Sequence, residues 1–189
     1  TIEYIKNKSP DMPIILDAKR ADIGNTNNGY VKDEFDNLGV DAVTVHPYLG
    51  QEAVQPFLDR SDKGVIVLVR TSNSGAGEFQ DLMVDSKTPL YQVVARKVAT
   101  QWNKNGNVGV VVGATYPEEL KIVREIIGDL PILIPGVGTQ GGNVSDAVQA
   151  GKDSKNQGII INSSRGIIFA PNPREATLNL HQEIGESLK

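Results

Sequence analysis

Apolar and polar positions alternate along this chain in two rhythms. Short aliphatic runs at 13–16, 40–45, 64–69, 108–112, 131–134 and 158–161 are too short for helices and rich in β-branched residues, which predicts buried strands. Between them, apolar residues recur at helical spacing, predicting helices over 1–8, 25–38, 51–58, 89–103, 117–127, 144–150 and 173–188. Local punctuation agrees with these limits. Ser9-Pro10 stops the first helix, Gly39 ends the second, and Pro117 opens a later one with Glu118 and Glu119 beside the positive end of its dipole. Tyr30, Phe35 and Leu38 are candidate core residues of the second helix. Residues 70–87 are polar, contain Ser72-Asn73-Ser74-Gly75-Ala76-Gly77, and are too long for an ordinary connection, which predicts a functional loop.

Strand and helix therefore alternate strictly, and the strands read as near-continuous aliphatic runs, the pattern of a parallel sheet covered on both faces. The predicted class is α/β, a (β/α)8 barrel, because polar and glycine-rich motifs follow several different strands at their carboxyl ends. A doubly wound open sheet accommodates the same strands, but no G-x-G-x-x-G follows the first of them.

Composition narrows the function classes. A chain of 189 residues predicts a single domain with a sizeable core. The net charge of -4 gives no reason to expect nucleic acid or a membrane as partner, although local basic groups can still hold a small anion. The absence of cysteine excludes disulfides and thiolate chemistry, and two histidines argue against a histidine-rich metal site. No apolar stretch approaches the roughly 18 residues of a membrane span, and no signal peptide is visible, so a soluble cytoplasmic protein is expected.

The densest chemistry lies at Asp17-Ala18-Lys19-Arg20-Ala21-Asp22-Ile23-Gly24-Asn25-Thr26. Residues two apart on a strand face one side, so Asp17 and Lys19 are expected to point together, with Asp22 just beyond where the chain turns into a helix. A carboxylate, an ammonium and a second carboxylate at a strand end can place one proton donor against a substrate; the simpler reading is a strand-end salt bridge. Two later motifs suggest a phosphate site. Gly136, Gly138, Gly141 and Gly142 allow close backbone approach with amide donors turned inward, or serve only tight turns. Ser164-Arg165-Gly166 follows the last strand where a short helix can start, and Arg165 could grip a phosphate bidentately. Barrels build such a cup after their seventh and eighth strands. That numbering makes 13–17 the third strand and leaves two βα units missing at the front; eight units usually need about 200 to 250 residues, which points the same way.

DAKRADIGNT, PGVGTQGG and SRGI, in this order, closely resemble the signatures of orotidine 5'-monophosphate decarboxylase, a similarity running from residue 13 to 170 and nearest to the longer bacterial and protozoan-type subgroup. The resemblance implies a barrel that converts orotidine 5'-monophosphate to UMP and CO2, the last step of pyrimidine biosynthesis, with no cofactor and no metal. Lys19 would protonate C6 of the pyrimidine, and Asp17 would hold Lys19 beside the departing carboxylate. Asp22, Ile23 and Thr26 would reach a neighbouring subunit's site in a homodimer. Ser72 would bond the pyrimidine, Gln140 and Arg165 would grip the phosphate with backbone amides near Ser164, and Pro135 counts among the substrate-binding residues. The loop after Gln140 would close over the phosphate. The family also places an aspartate on its first strand and a lysine on its second, neither present in this chain, so the 189 residues alone are expected to form a poor enzyme.

Neighbouring magnesium-dependent barrels, 3-keto-gulonate 6-phosphate decarboxylase and hexulose-phosphate synthase, share D-x-K-x-x-D. The I-G-N-T extension and the VGTQGG stretch favour the orotidylate reading. An inactive nucleotide-binding fragment is the alternative from another class. His46, before Pro47, reads as a structural strand-end residue, His181 as solvated, and Trp102 as core.

Overall fold

The computed structural model describes residues 1–138 and 140–189; Thr139, within the PGVGTQGG motif, lies outside the described residues. The strands are β1 (Ile15–Arg20), β2 (Ala42–Val45), β3 (Gly64–Arg70), β4 (Val108–Val112), β5 (Ile132–Pro135) and β6 (Ile159–Asn162). Their order in the sheet is their order in the chain, and β1–β2, β2–β3, β4–β5 and β5–β6 pair in parallel. The helices are α1 (Ile2–Lys8), α2 (Gly24–Val31), α3 (Gln51–Leu58), α4 (Gly77–Gln80), α5 (Leu90–Lys97), α6 (Pro117–Ile127), α7 (Val144–Gly151), α8 (Ser164–Ile168) and α9 (Pro173–Ser187). Repeated β-α connection of parallel neighbours is the expected β/α-barrel topology.

The chain divides into two compact units, residues 1–68 with 100–109, and residues 69–99 with 110–189. In the first, β2 is buried at every position, as a strand covered on both faces requires. Phe57 of α3 is fully buried and meets Phe35 edge-on, ring centroids 6.4 Å apart. Trp102 is buried, as its pattern predicts. Asn107 closes the far end of this core by donating to the carbonyls of Arg60 (3.0 Å) and Lys63 (3.1 Å).

In the second unit, β4 and β5 bury Val110, Val111, Val112, Ile132, Leu133 and Ile134 beneath Leu120, Val123 and Ile127 of α6 and Val144, Ala147 and Val148 of α7. Pro117 occupies the first turn of α6, while the Asn143 side chain caps α7 by accepting from the Asp146 amide at 3.0 Å. Each apolar face follows the helical period. Arg124 crosses the inner face of α6 and donates to four carbonyls, those of Gly128, Leu130, Gly151 and Gly158.

Three local expectations need correction. After Val31 the second helix widens into a π-helical turn, Lys32–Asn37, which changes the angular spacing so that Glu34 and Phe35 turn inward while Leu38 is left 41% exposed. The first strand starts at Ile15 and runs to Arg20, later at both ends than the 13–16 run, so Asp17 and Lys19 lie within it while Asp22 follows it. Residues 70–87 are not all loop, since they include α4, and the adjoining Met83 bridges antiparallel to Pro89. Among the described residues no helix is long and apolar enough to cross a membrane.

Candidate active site

The first constellation belongs to the first unit and grows from an irregularity in β1. Lys19 has a left-handed backbone, φ 52°, and the pairing with β2 slips between Leu16 and Arg20. Such a conformation is costly for a residue with a Cβ, by about 1–2 kcal/mol, and its surroundings must hold it. They do so from both sides. The Lys19 amide donates to Thr44 Oγ1 at 2.9 Å, and Arg20, next in sequence, reaches Glu34 with its Nε and stacks 4.3 Å from the Tyr30 ring centre. Glu34 is fully buried, and burial raises its carboxyl above the usual range although Arg20 opposes the shift.

Lys19 Nζ lies 2.6 Å from Asp17 Oδ2, so the two side chains meet as their spacing predicts. Both are nearly half exposed, at 46% and 44%, so the pair contributes little to stability and stays open to a ligand. Thr44 Oγ1 donates to the other Asp17 oxygen at 2.8 Å. His46 follows two residues after Thr44, just past the end of β2. Its Nδ1 is buried with no partner among the described atoms, and burial, then the Lys19 charge, lowers its pKa below the ordinary 6.5. Asp22 turns elsewhere, accepting from the Ile23 amide at 2.8 Å while its carbonyl takes the Asn27 side-chain amide at 2.7 Å. Ile23, 59% exposed, caps the start of α2 and Thr26 sits on its first turn, both at the surface of the unit.

The second constellation belongs to the second unit. Arg70 ends β3 almost wholly buried; Nη2 donates to Asp81 Oδ2 at 3.0 Å, Nη1 to the Thr71 carbonyl at 3.0 Å, and the guanidinium stacks 3.9 Å from the Tyr116 ring centre. Its Nε also lies 2.9 Å from Asp81 Oδ1, close enough for charge attraction but out of line for a hydrogen bond. The start of the 70–87 segment is thereby anchored. Ser72 rests against Gly113, where a Cβ would come within 2.7 Å of the serine's Cα, and its hydroxyl donates to Gln140 Oε1 at 2.8 Å. Ser72 and Gln140, far apart in sequence, are thus brought together.

Pro135, Gly136, Gln140, Ser164 and Arg165 then line one small open recess with Asn162 and Ser163. The Arg165 side chain is exposed and makes no hydrogen bond or ion pair among the described residues. The glycine loop follows the second of its two readings, the tight turn. The amides of Gly138, Gly141 and Gly142 bond to the loop's own carbonyls of Gly142, Gly138 and Gly136, so these donors are spent on the turn. The polar groups left to a ligand here are mostly side chains, a cationic and neutral set that suits a phosphate.

Sequence reasoning missed Thr44 and the Arg20–Glu34 pair. The signal for Thr44 was present, as a lone hydroxyl inside the aliphatic run A-V-T-V. Arg20–Glu34 had no such signal, because it depends on the π-helical turn.

The family model described as "Orotidine 5'-phosphate decarboxylase / HUMPS family" matches residues 1–180. An orotidine 5'-phosphate decarboxylase of Janthinobacterium sp. (strain Marseille) is 53% identical over 167 residues, covering 88% of this chain and 61% of that protein. The solved structure of Leishmania donovani OMP decarboxylase superposes with a TM-score of 0.92 at 39% identity, covering 99% of this chain and 73% of that one. Leishmania donovani UMP synthase gives a TM-score of 0.94 at 41% identity, covering 98% of this chain and 41% of that one. The chain spans about three fifths of the length of the curated relatives it matches, 61% and 62% for the first two. On the match over 1–180 and the identity to these relatives, the chain belongs to the orotidine 5'-phosphate decarboxylase / HUMPS family.

Proposed function

We propose that this protein decarboxylates orotidine 5'-monophosphate to UMP and CO2 without a cofactor or metal. The observation that carries the reading is the Asp17–Lys19 pair, an ammonium held 2.6 Å from a carboxylate on an accessible strand, in a chain whose relatives are named for this reaction. In the step itself the bond from C6 to the carboxylate carbon breaks and CO2 leaves. The electron pair stays on C6 and takes a proton from Lys19 Nζ, which solvent later restores. Little resonance is available to that carbon, so a preplaced ammonium supplies the stabilisation that the transition state needs. Asp17 keeps Lys19 aimed and crowds the substrate carboxylate, which disfavours the ground state more than the transition state.

Binding is divided between remote groups. Arg165 and Gln140 take the phosphate in the recess with Pro135 and the Ser164 region, and Ser72 takes the pyrimidine. Energy from these contacts is spent at C6, where no contact with phosphate exists. Asp22, Ile23 and Thr26 act across a homodimer interface, a role that their surface position on and before α2 allows. The protein works in the cytoplasm as a single barrel domain of pyrimidine biosynthesis.

The test is UMP formation by protein purified with any natural flanking sequence its gene encodes, with EDTA present and then with magnesium restored. Turnover of orotidine 5'-monophosphate that EDTA leaves unchanged is the expected result. Magnesium-dependent turnover of a 3-keto or hexulose phosphate instead would replace the reading with the sugar-phosphate one.

A further inference from the structure

Thr44 is the one hydroxyl in β2, a strand whose other members are Ala42, Val43 and Val45, and its own exposure is zero. Valine has nearly the same shape and would bury at no polar cost, so the hydroxyl at this position calls for a reason. Its two hydrogen bonds supply one. The Lys19 amide can only donate, which commits a lone pair of Oγ1 to it at 2.9 Å. The hydroxyl proton is then directed to Asp17 Oδ1 at 2.8 Å, while Asp17 Oδ2 faces Lys19 Nζ at 2.6 Å. One oxygen therefore holds Lys19 at its backbone directly and at its tip through Asp17. The contact also falls where the parallel ladder slips and where Lys19 has φ 52°, so Thr44 replaces the strand partner that this amide has lost.

We propose that Thr44 is a positioning residue for Lys19, its buried hydroxyl joining the Lys19 amide to the Asp17 carboxylate and so setting where Lys19 Nζ points. This rests on the reading of Lys19 as the proton donor. Thr44 lies beneath the pair and touches no substrate. Its loss misaims the ammonium without removing it, and that misplacement acts on the chemical step more than on binding.

The experiment compares Thr44→Val, which keeps the shape and removes the hydroxyl, with Thr44→Ser, which keeps the hydroxyl. Thr44→Cys, with a weak donor of similar size, stands in if the valine variant does not fold. Thr44→Val is expected to lower kcat about tenfold to a hundredfold with KM within about twofold, and Thr44→Ser to restore most of kcat. Independently of turnover, the ε-methylene resonance of Lys19 in 13C-lysine-labelled protein, assigned with Lys19→Arg, is expected to move in Thr44→Val and return in Thr44→Ser. A kcat within about twofold of wild type in Thr44→Val, or an unmoved Lys19 resonance, would overturn the proposal. If the wild-type protein does not turn over orotidine 5'-monophosphate, the proposed reaction falls, and the resonance alone decides whether Thr44 positions Lys19.

Discussion

Arg124 offers the sharpest test of how the second unit is held together. The residue is only 9% exposed, yet among the described residues no carboxylate neutralises it at hydrogen-bond distance; four carbonyls surround it. Nε donates to Gly151 at 2.7 Å, Nη1 to Gly128 and Leu130 at 2.6 and 2.7 Å, and Nη2 to Gly158 at 3.0 Å. These acceptors close α6, close α7 and lead into β5 and β6, so one side chain ties four junctions. The Gly151 carbonyl belongs to a buried residue and loses a charged donor, which costs about 1.5–3 kcal/mol. The other three lie nearer to solvent, where water can replace much of each bond, adding about 0.5 kcal/mol apiece. Arg124→Ala should therefore destabilise by about 3–4.5 kcal/mol, equivalent to roughly 10 °C in a domain of this size. Arg124→Lys should recover only a part, because an ammonium cannot present the planar fork. Urea unfolding followed by circular dichroism gives both values. A loss below about 1 kcal/mol in Arg124→Ala would refute the claim that this network closes the unit.

The remaining predictions use the same contacts. His46 has a folded-state pKa below its ordinary 6.5, so the unfolded chain takes up the proton first: its contribution to stability is complete above 6.5 and is lost as pH falls through that value. Denaturation midpoints between neutral and mildly acidic pH should show that slope in wild type and a weaker one in His46→Gln; parallel profiles would remove His46 as the cause. Gly113→Ala would bring a Cβ within 2.7 Å of Ser72 Cα and within 2.8 Å of its backbone nitrogen, so Ser72 must leave Gln140. A loss of about 1–3 kcal/mol with a raised substrate KM is expected, whereas Gly29→Ala, where the Cβ would meet nothing within 4 Å, should stabilise α2 by about 0.5–1 kcal/mol.

Much of this architecture is legible in the sequence, for identifiable reasons. The observed bounds of α3 and α6 match the predicted ones, and for α6 the reason is visible, because Pro117 marks its start. The pairing of Asp17 with Lys19 is also foreseen, although through alternation on a regular strand. The strand is in fact irregular at Lys19, and Thr44 supports the departure, a tertiary contact that no local pattern encodes. Leu38 fails because its position assumes an unbroken α-helical period. The glycine loop is undecided in the sequence for another reason: its composition allows close backbone approach, but whether the amides face a ligand or one another depends on the turn adopted. Arg124 reads from sequence as an ordinary charge on a helix, and only the return of four carbonyls to it makes it central.

The most direct test of the proposed chemistry is the rate of UMP formation by wild type and by Lys19→Ala, measured side by side at saturating orotidine 5'-monophosphate. A proton donor acting at C6 predicts a loss of about a hundredfold to ten-thousandfold or more, with the substrate still bound through the phosphate recess. A variant that keeps its rate within about tenfold of wild type would contradict the account, because the proton on C6 would then come from somewhere other than Lys19.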